Sequence, residues 1–505
     1  MRVNVNVTTE IALEEGRTYA GGLGVLEGDK FYASGELGIN YLVLMLFYRN
    51  GYVDYRFSED GSPTPVPQSQ PIEFTKKLKK EDRFPIELKG GKVIVEPLSY
   101  RYKTAKTVFF NPVQPSWAVE LVDQLYVEKH YEEKFYKYVL LAKAAAEYVK
   151  SRVGLSNVNK IILNEAYTAL LPLVLRAPSK YIFIIHTPGP WSHPIFPTRL
   201  FEREFGFKFI TDKVALTDIG LATSFKTYCV SEKHFEIMQK IVPHFAHKLS
   251  YMTNGINILR WINPRLKRLL EENVLNVDSL KKAKHQAREK LLRLIKSYKA
   301  INGEEKPIIL WCRRITGYKR PFFVTRFIEE ENPDAIIVVA GKAHPYDVDG
   351  LRYMQKFYQY FKEKPNVVYI HNYDVSKAKI LLSGGDLLLF TPFSSLEACG
   401  TSFMKAAINS VPSLSSRDGG VLELVEDGIN GWLFGRDLRQ LIYFDTQERD
   451  RINEEDYREF KAKLLRILDL IANNEDKYYE VALNCVKTFM PKVDICEKMR
   501  QLVCQ

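Results

Sequence analysis

Two short segments hold residue types that could do chemistry together. Cys312-Arg313-Arg314-Ile315-Thr316-Gly317-Tyr318-Lys319-Arg320 places four cations within eight residues, directly after the apolar run 307–311. That run reads as a buried strand, and cations at the end of a parallel strand project into the crevice where open α/β sheets bind ligands. Leu396-Glu397-Ala398-Cys399-Gly400-Thr401-Ser402-Phe403-Met404-Lys405 sets one carboxylate, a Gly-Thr-Ser turn and one lysine at the start of an expected helix. Backbone N–H groups at such a position attract anions. The two segments point to a site for phosphate groups beside a hydroxyl-rich molecule. A third segment, Ala20-Gly21-Gly22-Leu23-Gly24, follows an early strand and precedes a helical stretch. Its glycines let the backbone approach a ligand and present N–H groups to an anion, although a simple tight turn explains the pattern equally well.

The elements that must position these segments alternate along the chain. Apolar runs at 3–7, 41–47, 160–163, 181–185 and 228–230 read as strands, as do 308–311, 335–340, 367–371, 387–390 and 411–415. Amphipathic helical stretches separate them, 131–153 most clearly, which predicts parallel, doubly wound sheets with right-handed crossovers. The fold class expected is therefore α/β, with two Rossmann-like lobes facing a cleft. The boundary falls after Thr253-Asn254-Gly255 and Trp261: residues 1–260 form an N-terminal lobe, 261–480 a C-terminal lobe, and 481–505 a helix packing back across both. A long charged helical region is expected over 266–300. Residues 57–100, rich in proline and lysine, look like an insertion with hairpins outside the core, and 457–471 is a clear amphipathic helix.

A chain of 505 residues is long enough for two hydrophobic cores. Its net charge of +11 suits anionic ligands such as phosphates or nucleotides, though a solvated basic surface accounts for much of the excess. Basic residues are scattered and no nucleic-acid-binding signature occurs, so nucleic acid is not an expected partner. Six cysteines lack metal-ligand spacing and form no disulfide framework, so no metal is expected. The N-terminus alternates like a strand rather than a signal peptide, and no apolar run reaches the ~20 residues of a membrane helix. A reducing cytoplasm and no membrane association are the expectations.

Motifs in order along residues 15–435 resemble the α-glucan (glycogen/maltodextrin) phosphorylase family in its shorter form. They are Ala20–Leu26 with Gly28-Asp29, Asn164-Glu165, His186-Thr187-Pro188, Thr253-Asn254-Gly255, Arg313-Arg314 with Tyr318-Lys319-Arg320, Gly341-Lys342-Ala343-His344-Pro345, Asn372-Tyr373-Asp374, 397–405, Asp418-Gly419 and Asn430-Gly431-Trp432. The resemblance implies a GT-B fold, pyridoxal 5′-phosphate in the cleft, and transfer of terminal α-1,4-linked glucose to inorganic phosphate with retention, giving glucose 1-phosphate. It gives Lys405 the role of forming a Schiff base with the cofactor, where the residue type alone suggests a surface lysine. Two phosphates would sit in contact, which requires surrounding cations. The resemblance has Arg314 and Lys319 bind substrate phosphate and Arg313 face the cofactor phosphate. Gly21, Gly22 and Leu23 would donate backbone N–H groups. Glu397 would hold a glucose hydroxyl beside the N–H groups of Cys399 and Gly400. Asn254 and His186 would take other hydroxyls, or the His186 carbonyl the developing positive charge. Thr401 and Tyr373 would line the cofactor pocket, and Tyr318 the substrate; either tyrosine reads equally as a core aromatic. Lys342 and His344 would shape the cofactor pocket. The implied partners are an α-glucan and phosphate, and a homo-oligomer is compatible with the resemblance.

Some positions depart from the family pattern. Phe403 replaces a small residue before Lys405, Ala166-Tyr167 replaces a Gly-His pair, and Phe393-Ser394-Ser395 stands where arginines are frequent. Arg320 reads as an exposed charge at a helix start. A retaining nucleotide-sugar-dependent glycosyltransferase of the same fold is the alternative, and a catalytically silent glycan-binding relative is a third; Lys405 separates the first from the second.

Overall fold

The computed structural model describes residues 2–442 and 446–504. It divides into two compact units, Met1–Val53 with Pro67–Thr253 and Ile495–Gln505, and Asp54–Val66 with Asn254–Asp494. The change of unit thus comes seven residues before the expected boundary at 260/261. Hydrogen bonds explain this: Ile256 N donates to Val493 O at 2.8 Å, and Asn263 N to Asn409 Oδ1 at 2.7 Å. Residues 481–505 are not one helix. Glu475–Phe489 belongs to the second unit, and Ile495–Cys504 begins a return to the first, where it packs on the helix Gly22–Glu36.

In the first unit, seven parallel strands run in the order Leu249–Tyr251, Lys226–Cys229, Tyr181–Ile184, Val158–Asn164, Val3–Val7, Tyr41–Leu46, Ala105–Gln114. Tyr41–Leu46 is buried at every position, as a strand covered on both faces must be. The sheet continues into Gly91–Tyr102, antiparallel to Ala105–Gln114, so part of the supposed insertion belongs to the main sheet. Its other part, the hairpin of Val53–Phe57 and Pro63–Pro67, lies largely in the second unit. There Tyr55 N donates to Asn372 Oδ1 at 2.9 Å and Phe57 stacks on Tyr358 at 4.2 Å. The first strand of the chain sits inside the sheet, and later strands add on either side. The direction of winding therefore changes between Val3–Val7 and Val158–Asn164.

The second unit has six parallel strands in the order Val367–Ile370, Ile336–Ala340, Ile308–Cys312, Leu387–Phe390, Ser413–Ser416, Trp432–Phe434. In chain order this is 3-2-1-4-5-6, the doubly wound arrangement, with its switch point between Ile308–Cys312 and Leu387–Phe390. The helical region expected over 266–300 is two helices, Pro264–Glu271 and Val277–Tyr298. Asn273 at φ 56° breaks the first, and Asn276 starts the second with a capping box to Ser279. Among the described residues no helix is long and apolar enough to cross a membrane, and no cluster of His, Cys, Asp or Glu could hold a metal ion.

Candidate active site

Each unit carries its own set of polar residues beyond the carboxyl ends of its strands, at the switch point. In the first, the strand Val3–Val7 leads into Thr8, Thr9 and the buried Glu10. Glu10 Oε2 accepts from Ala20 N at 2.6 Å and Gly21 N at 3.1 Å, and Oε1 accepts from Tyr126 Oη at 3.0 Å. The Gly21 N–H expected to face an anion is therefore engaged by a carboxylate. The following N–H groups, of Gly22 and Leu23, begin the 15-residue helix Gly22–Glu36, where they lack intrahelical partners. Beside both Gly21 and Gly22 the space a Cβ would occupy is open. The first turn carries no acidic side chain, so the helix dipole favours an anion there.

Neighbouring strands supply Asn164, Glu165 and His186. Glu165, at φ 75° and buried, accepts from Ala166 N at 3.2 Å and His186 N at 3.0 Å. Burial pushes its carboxyl up to about 8, so it is held neutral at pH 7. His186 Nε2 lies 2.6 Å from Asn164 Oδ1. Burial, with Lys30 and His234 nearby, holds the imidazole well below its ordinary range, hence neutral. His186 is partly exposed rather than packed into the core. Tyr167 packs between Tyr138 and Tyr126 at 4.6 and 6.1 Å, with the Lys134 ammonium 5.2 Å from its ring.

In the second unit, Arg313 and Glu397 come from opposite sides of the switch point. Arg313 Nη2 donates to Glu397 Oε2 at 2.6 Å, and its guanidinium lies 4.2 Å from the Phe390 ring. Arg313 is buried, and its Nε and Nη1 are without a hydrogen-bond partner among the described residues. Lys319 Nζ stands 3.2 Å from the same Glu397 oxygen. Burial, opposed by Glu397 and reinforced by Arg313 and Arg314, lowers the Lys319 ammonium to about 7. Burial opposes charge on Glu397 too, yet Lys319, Arg313 and Arg314 together hold its carboxyl below the usual range. The triad is anchored from beneath. Asp418 accepts from Ser395 N and Glu397 N, each at 2.8 Å, and from Gly419 N at 2.9 Å.

Lys405, in the helix Ser402–Ala407, is 5% exposed, so it is not a surface lysine. Its Nζ donates to Thr401 Oγ1 at 2.9 Å and lies 4.2 Å from the Trp261 ring. Asn254 Nδ2 donates to Cys399 O at 3.1 Å. Gly400 packs against the Phe390 ring, near Glu397. The Tyr318 ring packs with Phe393, Leu396, Ile442 and Ile452, as a core aromatic does, while its hydroxyl meets Arg314, which is exposed. Tyr373 is partly exposed after the strand Val367–Ile370. Lys342 pairs with Asp54 at 2.8 Å, and His344 Nδ1 accepts from Tyr346 N at 3.1 Å. Phe403 is fully buried against Phe390 and Phe489.

Arg320 overturns its expectation. It is 1% exposed, and its guanidinium reaches Asp456 Oδ2 at 2.7 Å, Thr391 O at 2.9 Å and Pro392 O at 3.0 Å. All three partners are nonlocal, which is why the helix-start position misleads. The sequence also left Glu10, Glu27, Trp261 and Asp418 without roles. Acidic residues placed just beyond or between apolar runs are the signal that could have flagged Glu10 and Asp418.

A family model described as carbohydrate phosphorylase matches residues 358–492, a span that contains Glu397, Lys405 and Asp418. Maltodextrin phosphorylase of Thermococcus litoralis is 25% identical over 83% of this chain and 60% of its own length. Glycogen phosphorylase of Aquifex aeolicus is 25% identical over 83% of this chain and 73% of its own. The chain is similar to carbohydrate phosphorylases. An uncharacterized protein of Methanocaldococcus jannaschii is similar at 23% identity, over 80% of this chain and 82% of its own length. The chain spans 60% of the length of the Thermococcus relative.

Proposed function

We propose that this chain is an α-1,4-glucan phosphorylase of the cytoplasm, moving terminal glucose from glycogen or maltodextrin to inorganic phosphate with retention, and that its two units are the lobes of a GT-B fold. The observation that carries this is the Arg313–Glu397–Lys319 triad, in which Arg313 is buried and two of its guanidinium nitrogens are left over. A buried cation with unused donors calls for an anion, because leaving such donors unmet costs about 1–3 kcal/mol each.

The residues fit pyridoxal 5′-phosphate. Lys405 is a desolvated amine beside an aromatic ring, and the orphaned Nε and Nη1 of Arg313 suit a phosphate. Lys405 would hold the cofactor through its ε-amine, with Thr401 and Tyr373 along the pocket and Arg313 on its phosphate. When bound, the cofactor supplies a phosphate that exchanges a proton with the substrate phosphate.

The chain's own groups do the rest. Arg314 and Lys319 grip inorganic phosphate, Arg314 with two donors at once. Gly22 and Leu23 offer N–H groups to an anion, with Gly21 held in place by Glu10. Glu397 accepts from a glucose hydroxyl through Oε1, the oxygen its cations leave, while the N–H groups of Cys399 and Gly400 flank it. Asn254 braces that segment through Cys399 O. His186 accepts from a further hydroxyl, and its carbonyl faces the positive charge that develops at the anomeric carbon. Preorganised cations and dipoles carry the electrostatics without the paired carboxylates of a hydrolase.

The test is direct. Purified protein with maltodextrin and phosphate should release glucose 1-phosphate, absorb as a pyridoxal protein, and after borohydride reduction carry the label on Lys405; Lys405→Ala should abolish all three. A colourless protein that transfers glucose from a nucleotide sugar would refute the proposal.

A further inference from the structure

A buried polar layer lies between the first sheet and the helix Gly22–Glu36. Asn4, Asn6 and Thr8 share one face of the first strand and its extension, in register with Tyr41, Val43 and, one strand on, Thr107. On the helix Glu27, Lys30 and Ser34 are buried, Glu27 meeting Tyr41 and Asn164, and Asn164 of the strand Val158–Asn164 meets Thr8. All except Tyr41 and Val43 are polar or charged, and each is at most 5% exposed. None of this layer has a role in the proposed reaction, yet it ends at His186.

The hydrogen bonds there have a direction. The Thr8 hydroxyl donates to Glu10 O at 3.2 Å, so its oxygen accepts from Asn164 Nδ2, also at 3.2 Å. Glu27 Oε2 accepts from the same Nδ2 at 3.2 Å, while Oε1 accepts from Tyr41 Oη at 2.9 Å. Two acceptors on one side fix which way the Asn164 amide points. Its Oδ1 must then face His186 Nε2 at 2.6 Å, and that nitrogen must carry the proton. His186 Nδ1 has no partner among the described residues.

We propose that Asn164, oriented by Thr8 and Glu27, is a positioning residue that locks His186 in its Nε2–H tautomer and so presents Nδ1 as a hydrogen-bond acceptor to a glucose hydroxyl. The assignment of that hydroxyl rests on the function proposed above; the tautomer does not. The groups facing Glu27 are Lys30 on its own helix at 3.8 Å, Tyr41, Asn6 and Asn164. Lys30 in turn lies near His186 and opposes charge on the ring.

The experiment is a long-range proton–nitrogen spectrum of the full-length protein labelled with ¹⁵N-histidine, with His186 assigned by its loss in His186→Gln. The resting protein should show Nε2 protonated and Nδ1 unprotonated. In Asn164→Ala the second tautomer should appear, and kcat/KM for maltodextrin should fall about 10–100-fold. A protonated Nδ1 in the unmodified protein, or an unchanged tautomer in a folded Asn164→Ala, overturns the assignment. The spectrum decides even where a variant fails to fold. Absence of phosphorolysis with the expected spectrum would refute the function and leave the tautomer assignment standing.

Discussion

Arg313 and Glu397, 84 residues apart, meet across the switch point of the second sheet through a bond of 2.6 Å between Nη2 and Oε2. The carboxylate makes a buried guanidinium and ammonium tolerable side by side. Glu397→Ala leaves both without their counter-charge, in a site the remaining cations then repel. We expect kcat/KM for phosphorolysis to fall about 10²–10³-fold, the scale for losing a preorganised charged contact. Activity within tenfold of the parent would remove Glu397 from the reaction.

Lys319 should make phosphate use depend on pH. Its ammonium is lowered to about 7, so the cation is present below that pH and lost above it. Between pH 6 and pH 8 the KM for phosphate should rise, by roughly tenfold at the upper end. Lys319→Arg, charged throughout, should flatten that rise even if its maximal rate is lower. Matching pH profiles for the two proteins would show that another group titrates.

The buried pair Arg320–Asp456 belongs to the fold. Each side chain is 1% exposed, and Asp456 also accepts from Arg436 N at 2.9 Å. Arg320→Met should destabilise by about 3–5 kcal/mol in denaturant titration, because Asp456 is left buried and uncompensated. Adding Asp456→Leu should recover much of the loss. Equal stability of the single and double variants would mean that the charges do not interact.

What the sequence revealed followed from locality. Strands such as Ile308–Cys312 and Leu387–Phe390 were legible because each is an unbroken apolar run. Arg320 was misread because its partners at 391, 392 and 456 are distant in sequence. Glu10 was missed because a carboxylate that orients a glycine loop looks locally like any other. The extent of the second unit was hidden for the same reason: Asn254 and Ile256 are tied to Cys399 and Val493 by contacts that no local pattern announces.

His234 and Glu165 should bend the pH dependence of stability in opposite directions. Burial lowers His234 to about 3 from 6.5, so its contribution is present above pH 6.5 and lost as pH falls toward 3. At pH 4.5 that amounts to roughly 2–3 kcal/mol. Burial raises Glu165 to about 8 from 4.5, so its contribution is full below pH 4.5 and lost as pH rises through 8. Urea midpoints measured at pH 4.5, 6 and 8 should show a shallower acid limb in His234→Gln and a shallower alkaline limb in Glu165→Gln. Parallel limbs in all three proteins would assign the pH dependence elsewhere.

Two glycines near the basic segment 312–320 should behave oppositely to their place in the sequence. Gly317 lies inside the segment, but no atom stands within 4 Å of the Cβ it would gain. Gly341, at the end of the adjacent strand, has φ 150°, and its Cβ would stand 1.9 Å from Arg313 O. Backbone must move to admit it. Arg313 N is bonded to Ala340 O at 2.9 Å, so the shift passes to the guanidinium. Gly341→Ala should therefore weaken cofactor retention more than tenfold, read as pyridoxal content after dialysis, and lower the melting temperature, since a charged hydrogen bond to phosphate is worth about 1.5–3 kcal/mol. Gly317→Ala should leave both near the parent values. Equal pyridoxal content in the two variants would show that the Arg313 backbone does not set cofactor affinity.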